Sequence, residues 1–185
     1  DMKARWRTNP VEWDASVLDS LNHLQYFLPT QWTECTPSTA SRFSAIAYHF
    51  GRVLADSLDI PIGLICNAIG GSAAESWISR EIIEEKIPDI LKDWTKNDMV
   101  QDWVRGRAER NCNKSSVAGQ RHPYEPTYLY AVNQPIIGGF TVKGMIWYQG
   151  ESNASVAEAD IYLEFLRDMI FAWRRHFKNE NMRFI

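Results

Sequence analysis

From Ser41 onward the apolar residues recur at helical spacing. Phe43, Ile46, Ala47, Phe50, Val53 and Leu54 fall three and four apart, which predicts an amphipathic helix ending near Leu58. IPIGLICNA, residues 60–68, is apolar at nearly every position and reads as a short buried strand covered on both faces, with Gly70 and Gly71 directly after it. Residues 78–110 hold two helical patterns, rich in Lys and Glu, that part around Pro88. The polar stretch 111–127, with Gly119, Pro123 and Pro126, predicts a loop. Beyond it the pattern predicts a short helix over 129–137, a buried strand over FTVKGMIWY (140–148), and the clearest helix of the chain over 160–177. That last helix rests on Ile161, Phe165, Leu166, Met169, Ile170 and Trp173; MRFI, 182–185, then reads as the opening of a third strand. Before residue 41 the pattern lapses, and Trp6, Trp13 and Trp32 among Pro10, Pro29 and Pro37 predict an irregular, loop-rich segment.

Helix and strand alternate, which is the order of an α/β fold with a parallel sheet. In such sheets a ligand lies beyond the carboxyl ends of the strands. Two polar breaks sit at those ends: Asn67 to Ser76, and Gln149 to Asn153.

Composition narrows the class of function. The 185 residues suit one domain with a single core. Twenty basic against twenty-three acidic side chains give a net charge of −3 with no block of like charge, so neither nucleic acid nor an anionic membrane is an expected partner. No apolar run approaches the roughly 20 residues of a membrane span, and the sequence opens at Asp1 without a signal-peptide pattern, as if inside a mature protein. Cys35, Cys66 and Cys112 are far apart and odd in number, which predicts neither a disulfide framework nor a metal site, and Cys66 reads as a core residue. Two matches to the glycosylation sequon, at Asn113 and Asn153, are of a kind common by chance.

The chemistry concentrates in two stretches. GGSAAESW, 70–77, offers glycines that let backbone approach a ligand, beside a helix start with free N–H groups. It lacks the Lys of a phosphate-binding loop, and Ser72 or Ser76 could simply cap a helix. Gly70-Gly71-Ser72-Ala73-Ala74 also comes within one glycine of a nucleophile elbow, with Ser72 as attacking group and His122 or His176 as its base. Against that, His122 reads as a solvated loop residue and His176 as a surface residue in a helix's last turn, where a cation complements the dipole. WYQGESN, 147–153, is the more specific signal: the Glu151 carboxylate, flanked by Gln149 and Asn153, can orient neighbouring donors, while an amide can give an N–H to a developing oxyanion. A glycosidase would need a second carboxylate opposite Glu151, for which Glu75 is available. Trp77 and Trp147 lie beside these motifs, either in the core or as stacking platforms for a sugar.

The segments FSAIAYHFGRVLADSLDIPIGLICNAIGGSAAESW, LYAVNQPIIGGFTVKGMIWYQGESNA and YLEFLRDMIFAWRRHF together resemble the interior of the sialate O-acetylesterase family, in the SGNH-hydrolase superfamily. The resemblance runs from about Phe43 to Ile185 and extends to related acetylxylan esterases. It implies a three-layer α/β/α sandwich with a parallel sheet, SGNH-hydrolase or flavodoxin-like, here incomplete at both ends. Residues 1–40 would be an irregular N-terminal segment of that domain and 41–185 its central part. The implied activity is removal of O-acetyl groups from sugars, foremost O-acetylated sialic acid, by a Ser, His and Asp without metal or other cofactor. Carried onto this sequence, the oxyanion hole becomes Gly71, with Gly70 beside it, and Gln149. Glu151 would hold the loop, and Asn153, Ser72 and Trp77 would line the pocket. Relatives imply a periplasmic or secreted location.

The G-Q-S-N-M motif that holds the family's nucleophile and its downstream Asp-x-x-His pair do not occur in these residues. The chain alone is therefore expected to be inactive, completed by a second chain or segment that carries both motifs. Three other functions fit the residues less well: an acetylxylan esterase, a Ser72-dependent hydrolase complete in this chain, and a non-catalytic sugar-binding module.

Overall fold

The computed structural model describes residues 11–154 and 159–185. They form two compact units, one of residues 27–69 and the other of 11–26, 70–154 and 159–185.

The first helix, α1 (Ala15–Asn22), belongs to the larger unit and lies where an irregular segment is expected. Asp14 caps it, accepting from the Ser16 and Val17 amides at 3.0 and 3.1 Å, and Val17, Leu18 and Leu21 are buried. With barely two turns, three apolar residues give too little periodicity to stand out among the surrounding Trp and Pro. His23 follows as its C-cap.

The smaller unit holds α2 (Pro37–Ala40) and α3 (Ala45–Leu58). Ser44 caps α3, and Asp59, in the left-handed region at φ 51°, ends it where the sequence predicts. Leu64 rests against Gly51, so closely that a Cβ there would come within 2.6 Å of its Cδ1. The segment 60–68 forms no strand among the described residues, contrary to expectation, and alternates between half-buried and exposed rather than being covered on both faces. A strand exists through its ladder of hydrogen bonds, and apolar character alone does not supply a partner. Cys66, expected in the core, is half-buried.

In the larger unit, α4 (Arg80–Lys86) and α5 (Asp102–Cys112) flank two 3₁₀ turns, Pro88–Leu91 and Trp94–Lys96, around the expected break at Pro88. Next come α6 (Tyr128–Ile137), β1 (Gly144–Met145), α7 (Ala159–His176) and β2 (Arg183–Phe184). The two strands pair in parallel, Gly144 with Arg183 and Met145 with Phe184, and the Trp147 amide extends the ladder to the Ile185 carbonyl at 2.8 Å. The result is an α/β arrangement with a small parallel sheet. The predicted strand 140–148 shrinks to β1 and is not buried: Tyr148 is 76% exposed, because a two-stranded sheet covers little of its own surface. Helix α7 turns Phe165, Met169 and Trp173 inward as predicted, against a core that includes Ile82, Ile83, Val104, Leu129 and Val132. Asp168, also on that buried face, is paired with Lys86 of α4.

The loop 111–127 is irregular as predicted, yet its second half is buried. His122 is fully enclosed, stacked on Trp13 with centroids 5.2 Å apart, its Nε2 3.1 Å from Asn111 Oδ1 and its Nδ1 accepting the Tyr124 amide at 3.0 Å. Burial, aided by the Arg107 charge, pushes its pKa down to about 3, so it is a neutral core residue rather than a solvated one. His176, expected on the surface, is half-buried with its Nε2 enclosed, and burial lowers its pKa.

Candidate active site

Within the larger unit, residues 70–76 of the first polar break meet the second, Gln149 to Asn153. After Gly71 the chain enters a 3₁₀ turn, Ala74–Trp77, all four residues of which are buried. Gly71 has φ +81°, and a Cβ there would strike the Tyr124 hydroxyl, which donates to the Gly70 carbonyl at 2.8 Å. Only glycine serves that position. The Gly71 N–H has no hydrogen-bond partner among the described residues.

Opposite, Gln149 leaves the extended segment after β1 just before the 3₁₀ turn Glu151–Asn153. Its Nε2 donates to Asn153 Oδ1 at 2.7 Å and to the Ser72 carbonyl at 3.2 Å. The Tyr162 hydroxyl of α7 donates to the Gln149 carbonyl at 2.9 Å. Asn153, 4% exposed, is the hub of the site: Oδ1 also accepts the Ala74 amide at 3.0 Å, and Nδ2 donates to Glu75 Oε2 at 2.9 Å. Because the Ala74 amide can only donate, it fixes Asn153 Oδ1 as the acceptor, and that in turn fixes Gln149 Nε2 as a donor.

Glu75 is wholly enclosed, and its Oε1 has no hydrogen-bond partner among the described residues. Burial raises its pKa to about 7, opposed by the Asn153 hydrogen bond and its own backbone amide. Trp77, 5% exposed, donates Nε1 to Ser72 Oγ at 2.9 Å and meets Trp147 edge-on at 5.9 Å; Trp173 Nε1 donates to the Trp77 carbonyl at 3.0 Å. Ser72 is itself buried, His122 is enclosed against Asn111, and the half-buried His176 packs edge-on to Trp173. Glu151 is exposed at the start of its turn.

Of the residues singled out in the sequence, Gly70, Gly71, Ser72, Trp77, Gln149 and Asn153 thus come together, with Glu151 at the edge. Tyr124, Tyr162 and Glu75 join them without an expected role in the esterase. Glu75 carried a signal, an acid inside the apolar GGSAAESW, whereas Tyr124 and Tyr162 carried none. A separate cavity of about 470 Å³ among α4, α6 and α7 is lined by Arg80, Glu81, Tyr130, Arg175 and His176, and its arginines already pair with Glu84 and Glu81.

The fold and the amide-lined end of its parallel strand define an α/β protein with a preformed set of N–H donors beside a glycine turn. The chain belongs to the carbohydrate esterase family of sialic acid-specific acetylesterases, whose family model matches residues 29–185. It is 31% identical over 145 residues to mouse sialate O-acetylesterase, covering 72% of this chain and 26% of that protein. The human sialate O-acetylesterase is 29% identical over 152 residues, covering 80% and 25%. A crystal structure of a carbohydrate acetylesterase from Xanthomonas citri matches with a TM-score of 0.57 and 25% identity, across 98% of this chain and 31% of its own. The chain therefore spans about a quarter of the length of the curated relatives it matches.

Proposed function

We propose that this chain supplies the oxyanion hole of a carbohydrate O-acetylesterase whose substrate is an O-acetylated sialic acid. The observation that carries the reading is the orientation of Gln149 Nε2, fixed as a donor by Asn153 and sharing its second hydrogen with the Ser72 carbonyl at the longer distance of 3.2 Å. That second hydrogen is the one a substrate can recruit. A serine on another segment attacks the acetyl carbonyl, whose oxygen takes up negative charge between Gln149 Nε2 and the Gly71 N–H. A histidine takes the serine's proton and returns it to the departing sugar hydroxyl; water then releases acetate from the acyl-enzyme. The G-Q-S-N-M and Asp-x-x-His motifs supply those groups from outside these residues. Residues 41–185 are then the middle of a three-layer α/β/α domain. Ser72 and Trp77 support the pocket wall, Glu151 stands at its rim, and the enzyme works in the periplasm or outside the cell. Among the described residues no helix is long and apolar enough to cross a membrane.

The test joins this chain to its nucleophile-bearing segment and measures acetate release from O-acetylated sialoglycoprotein and from acetylated xylan, with fluorophosphonate labelling in parallel. Faster release from the sialoglycoprotein, with the label outside residues 1–185, supports the proposal. A preference for xylan shifts the substrate to the acetylxylan branch. A label on Ser72 refutes the assignment.

A further inference from the structure

Glu75 is the one acid of the site that the esterase chemistry leaves without a task. It sits at 0% exposure, one carboxyl oxygen on Asn153 Nδ2 at 2.9 Å and the other without a hydrogen-bond partner among the described residues. A buried polar atom left unsatisfied is costly, and a core position like this one would be better filled by an apolar side chain if packing were its only duty. The next residue in the network shows what the acid does. Asn153 uses both ends of its amide: Oδ1 receives the Ala74 amide and Gln149 Nε2, and Nδ2 needs an acceptor on the inner side.

We propose that Glu75 is a positioning residue for the oxyanion hole: from the core it anchors the Asn153 amide, and through Asn153 it aims Gln149 Nε2 at the substrate's acetyl oxygen. This rests on the role of Gln149 proposed above. Without the Glu75 acceptor, Asn153 Nδ2 is a buried donor with nowhere to donate. A flipped amide would set Nδ2 against the Ala74 N–H, donor against donor, so the side chain must swing away and release Gln149. Gln149 Nε2 would then keep only the Ser72 carbonyl as an acceptor and turn toward it.

The experiment is a double-mutant cycle in the esterase that contains this chain and its nucleophile, read as kcat and KM for acetate release per folded molecule. Glu75→Leu, close to the acid in volume, should lower kcat about tenfold or more with KM little changed, a part of the 10²–10³ that loss of a whole donor costs. Glu75→Gln keeps an acceptor for Asn153 and should restore kcat to within about threefold of wild type. In a Gln149→Ala background, Glu75→Leu should cost less than about twofold more, because the group it aims is gone. A loss of equal size in both backgrounds, or no loss in either, overturns the relay. If Gln149→Ala leaves kcat unchanged, the oxyanion role of Gln149 fails, and the relay with it; that outcome is distinct from failure of the relay alone. Should Glu75→Leu not fold, Glu75→Asp withdraws the carboxyl by one methylene, and wild-type kcat in that variant would contradict the proposal.

Discussion

Gln149 and Asn153, four residues apart, are locked amide to amide: Gln149 Nε2 donates to Asn153 Oδ1 at 2.7 Å, and Asn153 is held from behind by the Ala74 amide and the Glu75 carboxyl. Removing the hub by Asn153→Ala leaves two buried groups unsatisfied. It is expected to lower stability by about 1–3 kcal/mol in urea denaturation. In the complete esterase, kcat should fall as well among molecules that remain folded, because Gln149 loses its orientation; a stability loss at unchanged kcat would sever the two amides functionally.

Glu75 makes stability fall with rising pH. Its pKa in the fold is about 7 against an ordinary 4.5, so between those values the unfolded chain has shed a proton that the folded one keeps. The contribution is absent as a penalty below pH 4.5, grows through the window, and levels off above 7 at about 3 kcal/mol. Glu75→Gln should therefore gain on the wild type as pH rises from 4 to 8, measured by denaturant midpoints. A pH-independent difference would mean that Glu75 titrates alike in the folded and unfolded chain.

His122 acts at the acid end. Neutral and enclosed with a pKa of about 3 against 6.5, it leaves stability intact above pH 6.5 and removes it as pH falls toward 3, because only the unfolded chain takes the proton. The loss over that window is at most about 5 kcal/mol. His122→Gln should flatten the acid limb of a stability curve relative to the wild type, whatever its effect at pH 7.

The paired glycines are not equivalent. Gly71 has φ +81° and the Tyr124 hydroxyl where a Cβ would go, whereas Gly70 has open space within 4 Å. Gly71→Ala is expected to destabilise by about 1–3 kcal/mol and Gly70→Ala by less than about 0.5. Thermal melts of the two variants decide it, and equal shifts would contradict the geometry.

The elements most legible in the sequence were those whose signal is local. Helix α7 announces itself through Phe165, Met169 and Trp173, and α3 stops at Leu58 because Asp59 takes a left-handed turn. The segment 60–68 forms no strand among the described residues, because its apolar run says nothing about a hydrogen-bonding partner. His122 is buried for a related reason: it lies in a polar stretch, but Trp13, over a hundred residues earlier, covers it. The site was legible as two motifs, GGSAAESW and WYQGESN. Their joint, the Asn153 amide between Glu75 and Gln149, is a contact across 78 residues that neither motif contains alone.

The role of Gln149 as oxyanion donor is tested by kcat for acetate release by Gln149→Ala in the complete esterase. A fall of about 10²–10³ with KM nearly unchanged is expected, as for a donor that acts on the transition state. A Gln149→Ala enzyme with wild-type kcat would contradict that role.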